Sequence, residues 1–546
     1  MLLPSHNRYD DLYRDFSWRI LEDFNIGRAV SDDWAARAPE RVCLEHFSPD
    51  GHHRSLTYRA LADRSSAFAN ALVSLGIKRG DRVALLLPQS FETVIAHVSI
   101  YKTGAIALPL ALLFGVEALE YRLKAAGVAA VVTNGFGLER IRQIRERLPM
   151  LKHIVSIDGA SADAADFGEL VDGHSPVFDV VKTGPDDPAL MIFTSGTTGP
   201  PKGALHGHRV LPGHIPGMQF AHEGFPKAGD KVWTPSDWAW AGGLLNALLP
   251  SLLLGVPVVS SPAQKFDPDM AYRIMAEMGV RNAFIPPTAL RLMRSVADPR
   301  SKYDLVLRTI GSAGEALGRE TYEWAQRTLG ITVNEFYGQT ECNFVLSSSA
   351  AHGVTRAGAI GRAVPGHRVA IVSEAGDELP TGEPGQIAIA SPDPVMFLGY
   401  WDDAAATARK FAKGWLLTGD IGRQDADGYV AFEGRDDDVI TSSGYRIGPA
   451  EIEDCLIGHP AVQLAAAVGK PDAVRTEIVK AYIVLSLGHQ PSEALAADIR
   501  EWVKTRLSMH EYPREVEFID ALPLTTTGKV IRRLLRERAA AEGQPC

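Results

Sequence analysis

The residues best suited to chemistry in this chain form one run, Thr194-Ser195-Gly196-Thr197-Thr198-Gly199-Pro200-Pro201-Lys202-Gly203, directly after the apolar stretch Leu190 to Phe193. Gly196 and Gly199 free the backbone to curl, so that successive N–H groups can face an anion. The Ser and Thr hydroxyls add donors and Lys202 adds positive charge, a combination that suits a triphosphate. The pattern GxxxxGK[ST] of the ordinary P-loop does not fit: Lys202 follows a proline, and Gly203 stands where a Ser or Thr would hold magnesium. A kinase or P-loop ATPase is therefore disfavoured. The bland reading, a polar turn between a strand and the next element, would serve for a lone Gly-Thr pair but not for this ten-residue combination.

Further along stand Gly314-Glu315 in GSAGEAL, the segment Glu335-Phe336-Tyr337-Gly338-Gln339-Thr340-Glu341, and the turn Thr418-Gly419-Asp420. Gly434-Arg435 with Asp437, then Ser443-Gly444-Tyr445-Arg446 in SGYRIG, and finally Thr527-Gly528-Lys529 complete the series. Taken singly, Glu341 is a solvated carboxylate, Tyr337 a core tyrosine, Asp420 a turn residue and Lys529 a solvated lysine. In this order, with the 194–203 run, they resemble the motifs of the adenylate-forming superfamily of acyl-CoA synthetases, peptide-synthetase adenylation domains and firefly luciferase. The resemblance runs along nearly the whole chain.

That resemblance implies an acid-activating ligase using ATP, Mg2+ and CoA, with no redox cofactor. A carboxylate is a poor electrophile, and joining it to AMP supplies a leaving group and splits one hard step into two. By resemblance, the 194–203 loop holds the β- and γ-phosphates, Gly314 and Glu315 meet the adenine edge, Glu335, Phe336, Gln339 and Thr340 belong to the ATP-binding segment, and Tyr337 stacks on adenine with Gly338 allowing close approach. Thr340 and Glu341 hold magnesium, while Asp420 and Arg435 meet the ribose. Lys529, with Lys202 and Glu341, is catalytic, bridging substrate carboxylate and α-phosphate. Asp437 is the hinge on which a small domain rotates. Rotation presents Ser443, Gly444 and Tyr445 to the pantetheine arm, and Arg446, Arg475, Tyr512, Pro513 and Arg514 match CoA contacts of medium-chain acyl-CoA synthetases.

The same resemblance bears on the acid. Acetate enzymes of the superfamily carry a tryptophan just before Gln-Thr-Glu, where Gly338 stands here, so the acyl pocket is expected to be open to a longer acid. Trp240, in VWTPSDWAW, is its expected wall. Cys342 and Asn343 depart from the Thr-Gly that often follows the glutamate. A medium-chain, branched or aromatic acid is expected. The alternatives are a short-chain (acetate or propionate) CoA ligase and a stand-alone enzyme loading a carrier protein; no carrier-like segment follows, and Tyr512-Pro513-Arg514 favours CoA. A non-catalytic nucleotide sensor would have no need of Lys202, Glu341, Asp420 and Lys529 together.

Elements must position these residues. Short apolar runs (Val83 to Leu87, Ile106 to Leu110, Ala129 to Val132, Leu190 to Phe193) alternate with helical patterns (Thr57 to Leu75, Phe91 to Thr103), which argues for α/β layers with largely parallel strands. The charged run Gly434 to Asp438 is poor core material. The chain is thus expected to form a large N-terminal domain, residues 1–434, a hinge at 435–438 and a small α+β domain, 439–546. In that small domain Pro449 starts a helix that Gly458 stops. Gly159 to Pro185 reads as a surface connection.

With 546 residues the chain exceeds one compact core. Its net charge of −10 disfavours nucleic acid and anionic membranes as partners. The four cysteines, Cys43, Cys342, Cys455 and Cys546, are spaced for neither a metal site nor a disulfide framework, which fits a reducing, cytoplasmic setting. Ala241 to Ala263 is uncharged, but Asn246, Pro250, Gly255 and Pro257 interrupt it, so a buried helix (Leu244 to Leu254) and strand are expected in place of a membrane span.

Overall fold

Two mixed sheets carry the large domain. In the computed structural model, which describes residues 2–194, 200–261, 266–435, 438, 440–442, 445–472, 475–507, 512–525 and 529–542 (backbone alone at 441, 445 and 446), the first has eight strands. Its middle is parallel: Ile106–Pro109, Arg82–Leu86, Ala130–Thr133 and His153–Ser156 lie side by side, the first three within a residue or so of the apolar runs. These strands are buried on both faces over most of their length, as their predominantly Val, Ile, Leu and Ala content requires. Helices Tyr58–Ser74 and Phe91–Lys102 cover one face; Thr57 and Ser90 cap their N-termini through their side-chain oxygens.

The second sheet has nine strands, among them Asn282–Phe284, Thr309–Ser312, Val333–Gln339 and Cys342–Ser347 in adjacent positions. The first three are parallel, and their carboxyl ends lead into the 314–315 and 337–341 segments. Ligands of open α/β sheets bind outside such ends. A smaller antiparallel sheet contains Trp415–Gln424 paired with Val430–Arg435, with Asp420 opposite Arg435.

The small domain has its own five-stranded sheet, in which Val462–Asp472 and Thr476–Leu485 form a long hairpin, and its own apolar core around Ile452, Ile483, Ile499 and Val503. Its helix Pro449–Ile457 begins at the proline and ends at Gly458, as read from the sequence.

Two expectations change. The 159–185 connection contains a short strand, Ala165–Asp166, and a helix, Phe167–Asp172, anchored by buried Phe167 and Val171. The uncharged helix divides into a π-helical turn, Leu244–Leu248, and an α-helix, Leu249–Leu253 that opens on Pro250. No helix among the described residues is long and apolar enough to cross a membrane.

Candidate active site

The phosphate-loop run lies at the tip of a hairpin. Strand Pro188–Thr194 pairs antiparallel with Lys202–Gly207, so Thr194 faces Lys202 across the ladder and the loop ends are clamped. Ser195, Gly196, Thr197, Thr198 and Gly199 lie outside the described residues; Pro201 is held by a bond from the Tyr121 hydroxyl to its carbonyl, 3.0 Å.

Asp420 is a hub. One oxygen accepts from the Tyr337 hydroxyl at 2.5 Å and from Gln339 Nε2 at 2.6 Å; the other accepts from Arg435 Nη1 at 3.0 Å. Gly419 takes φ +77°, a conformation glycine adopts without steric cost, and this swings the carboxylate back toward residues 337–339. Tyr337, Gln339, Asp420 and Arg435, far apart in sequence, thereby form one cluster. Burial and the neighbouring Asp420 charge push the Tyr337 phenol well above its ordinary range, so it stays a donor.

Beside this cluster Glu341 is buried and accepts a short hydrogen bond from the Tyr400 hydroxyl. Lys202 Nζ sits over the Tyr400 ring, 5.3 Å from its centroid. Tyr400 thus links Lys202 to Glu341, and sequence reasoning missed it, since nothing in Gly399-Tyr400-Trp401 marks it out. Lys410 was missed as well: its Nζ donates to the Thr418 carbonyl at 3.3 Å, and burial holds its pKa below the usual lysine value against the pull of Glu341 and Asp420.

Lys529 comes from the small domain. Its side chain is exposed, its backbone N–H donates to Thr525 Oγ1 at 3.0 Å, and a Cβ built on Gly314 would lie 3.5 Å from its Cε. Asp454, also of the small domain, holds this arrangement by accepting from the backbone N–H groups of Arg319 (2.9 Å) and Glu320 (3.3 Å). Those N–H groups open the helix Arg319–Leu329, where a carboxylate is favoured.

Several of the expected site residues have protein partners of their own. The Glu315 carboxylate is taken by Thr288 Oγ1 (2.8 and 3.0 Å) and Arg291 (3.2 Å), so it braces its own loop. Phe336 points away from Tyr337, as alternation along a strand requires, and its ring stacks on Phe344 at 4.0 Å in a buried cluster with Phe284 and Ala313. Gly338 was expected to leave a pocket wall open. A Cβ there would lie 2.4 Å from the Phe344 backbone nitrogen and 2.5 Å from Asn343 Cα. The glycine lets strands 333–339 and 342–347 approach each other, and the space in its Cβ direction is filled by backbone. Trp240 packs edge-on against Phe114 at 5.6 Å, at the head of the 241–243 helix.

Arg475 lies in the turn between the two long strands of the small domain, with its N–H bonded to Asp472, and Arg514 bonds the Tyr512 hydroxyl at 3.0 Å beside buried Pro513. Neither of these bonds reaches the Asp420 cluster. Asp437, Ser443, Gly444, Thr527 and Gly528 lie outside the described residues, and at Tyr445 and Arg446 only the backbone strand is described.

Glu335 offers a pH test. Burial raises its pKa from 4.5 to about 7, opposed in part by the Leu317 N–H that its Oε1 accepts at 3.0 Å. Folding therefore favours its protonated form: the contribution is intact below about pH 4.5 and is lost as pH rises through about 7. The slope for one such proton is at most about 1.4 kcal/mol per pH unit. Glu335→Gln is expected to flatten the decline of the urea midpoint across that window. Equal slopes for both proteins would show that Glu335 does not titrate there.

The model of the family described as AMP-binding enzyme matches residues 31–401, and that of the AMP-binding enzyme C-terminal domain matches residues 451–529. Acetyl-coenzyme A synthetase of Bacillus subtilis (strain 168) is 32% identical over 549 residues, covering 97% of this chain and 95% of that protein. The human mitochondrial acyl-coenzyme A synthetase ACSM2B is 33% identical over 530 residues, covering 94% and 91%. Among solved structures, the anthranilate CoA ligase AuaEII in complex with anthranoyl-AMP superposes with a TM-score of 0.87 at 28% identity, covering 96% of this chain and 98% of that one.

Proposed function

Because the chain belongs to the AMP-binding enzyme family, we propose that it joins a carboxylic acid to AMP and then passes the acyl group to CoA. It is an acid–thiol ligase. Carboxylic acid, ATP and CoA give acyl-CoA, AMP and diphosphate. The observation that carries the reading is the presentation of Lys529 by the small domain to Gly314, at the carboxyl end of a parallel strand adjoining the segment that bears Tyr337 and Glu341.

In the first step a carboxylate oxygen attacks the α-phosphorus and diphosphate leaves. Lys202 and the 194–203 backbone would receive the β- and γ-phosphates. Asp420 would hold the ribose hydroxyls, Arg435 would fix the Asp420 carboxylate, and the Tyr337 ring would cover the adenine. Lys529 would stand between the two anions that must meet, where a fixed charge lowers the barrier most. Magnesium fits this donor set. Glu341 has one oxygen bonded by Tyr400 and no hydrogen bond to the other among the described residues, Thr340 adds a hydroxyl, and magnesium is commonly held by one or two carboxylates plus substrate phosphates. Bound there, it would neutralise phosphate charge.

In the second step the CoA sulfur attacks the acyl carbon and AMP leaves. Lys529 must then withdraw. Rotation of residues 439–546 about 435–438, turning on Asp437, would carry it off and bring Gly444 and Tyr445 to the thiol path, with Ser443, Arg446, Arg475, Tyr512, Pro513 and Arg514 toward CoA. Cysteine usage supports a cytoplasmic setting. The acid is medium-chain, branched or aromatic; the buried cluster of Phe284, Phe336, Phe344 and Ala313, next in sequence to Gly314, favours the aromatic member of that set.

The test is diphosphate release with purified protein, ATP and an acid panel from acetate to octanoate plus benzoates. Release is expected only with both acid and ATP, and acyl-CoA only when CoA is added. Diphosphate release without acid, or none with any acid, would overturn the reading. Acyl-adenylate that CoA does not consume would point instead to a carrier protein as the thiol.

A further inference from the structure

Three irregularities of this chain meet at one place. Asn246 lies on the π-helical turn Leu244–Leu248, a form that is rare and concentrated at functional sites. Asn343 precedes Phe344, whose φ of +63° is costly for a bulky residue. His214 lies in helix Val210–Ala221, which carries Pro216 in its interior. All three polar side chains are more than nine-tenths buried. Asn343 Nδ2 donates to His214 Nε2 at 3.1 Å and to Asn246 Oδ1 at 2.7 Å.

The orientation of this network follows from one carbonyl. The Val210 oxygen can only accept, so His214 Nδ1, 2.6 Å away, carries the proton. Burial lowers the His214 pKa to about 4, so the ring is neutral near pH 7 and Nε2 is an acceptor. The amide of Asn343 must then present its Nδ2 to His214 and to Asn246, which leaves Asn343 Oδ1 as an acceptor and Asn246 Nδ2 as a donor. Among the described residues neither atom has a hydrogen-bond partner, and neither belongs to the polar atoms sealed without one. Such groups are costly to bury unpaired.

The pair lies beside the segment that carries Tyr337 and Gly338. Asn343 Cα abuts Gly338, and the Phe344 ring packs against Gly217 and Phe336 in the cluster that contains Ala313, the residue before Gly314 and its neighbour Lys529. Resting on the acid-activating reading, we infer that Asn246 and Asn343 read a hydroxyl group on the ring of an aromatic acid. A hydroxyl donates to Asn343 Oδ1 and accepts from Asn246 Nδ2, which uses both open atoms. Of these three side chains none offers a charged substituent a counter-charge, since His214 is neutral and its proton is committed. A bare ring would leave both amides unpaired. Phe344, whose ring lies 6.5 Å from that of His214, brings the aromatic cluster of Phe284, Phe336 and Phe344 next to the network.

The experiment measures kcat/KM for acid-dependent ATP–diphosphate exchange with benzoate and its three monohydroxy isomers. One isomer is expected to exceed benzoate by on the order of a hundredfold in the wild-type protein, since sites built to pair a hydroxyl reject analogues that lack it. In Asn343→Leu and Asn246→Leu that ratio is expected to fall toward one. Benzoate equal to or better than every isomer in the wild type would overturn the inference, whatever the variants do. So would exchange supported by octanoate or acetate and by no benzoate, which leaves acid activation standing. Exchange with no acid at all would instead remove the ligase reading on which the inference rests.

Discussion

Lys529→Ala is expected to slow acyl-adenylate formation by on the order of a hundred- to a thousandfold, the effect of removing one fixed donor to developing charge. The same variant is expected to turn supplied acyl-adenylate and CoA into product within a few-fold of the wild-type rate. The separation follows from placement. Lys529 meets Gly314 only through the docking of the small domain, in which Asp454 accepts from Arg319 and Glu320. On the proposed reading the CoA step would release that docking and so take the lysine away. Stability does not confound the result: the side chain is exposed and makes no ion pair among the described residues, and substitutions at such positions cost within about 0.5 kcal/mol. Diphosphate release measures the first half-reaction and thioester formation from synthetic adenylate the second. Equal loss in both would show that Lys529 has no separate adenylating role.

What the sequence could and could not show divides along physical lines. The strands around residues 82–86, 106–109 and 130–133 were legible because both faces are buried and their residues are uniformly apolar. Asp420 was legible as a turn residue within a motif, but its partners were not. The bonds to Tyr337, Gln339 and Arg435 depend on how a hairpin of the antiparallel sheet meets the end of a strand in another sheet. Tyr400 was hidden for the same reason: its value lies in reaching Glu341 and Lys202, and no local pattern encodes either contact. Glu315 and Phe336 were placed at the nucleotide by their neighbours in the motifs. Strand alternation turns Phe336 to the opposite face from Tyr337, and Thr288 and Arg291 hold Glu315. The π turn at Leu244–Leu248 reads as ordinary helix, because the apolar pattern there is continuous on every side.

Gly338 carries the sharpest consequence of that difference. As an open wall, it would accept a larger side chain at the expense of longer acids only. The structure predicts another outcome, because a Cβ there meets the backbone at Phe344 N (2.4 Å) and Asn343 Cα (2.5 Å), atoms that no rotamer change can move. The two strands pair with an irregularity between Tyr337 and Gln339, so separating them at 338 also displaces Tyr337 and Gln339 from Asp420. Gly338→Ala is therefore expected to cost about 1–3 kcal/mol of stability, the usual range for overpacking, and Gly338→Trp more. Both are expected to depress kcat/KM by tenfold or more for every acid alike, since the damage is to the Tyr337–Gln339–Asp420 cluster, the proposed nucleotide site. The measurements are urea midpoints and an acid series from acetate to octanoate with benzoate, on wild type and both variants. A Gly338→Trp protein that keeps its urea midpoint and its acetate activity while losing the longer acids would restore the glycine as a pocket wall. A parallel fall with a lowered midpoint would fix its role as the point of closest approach between the two strands.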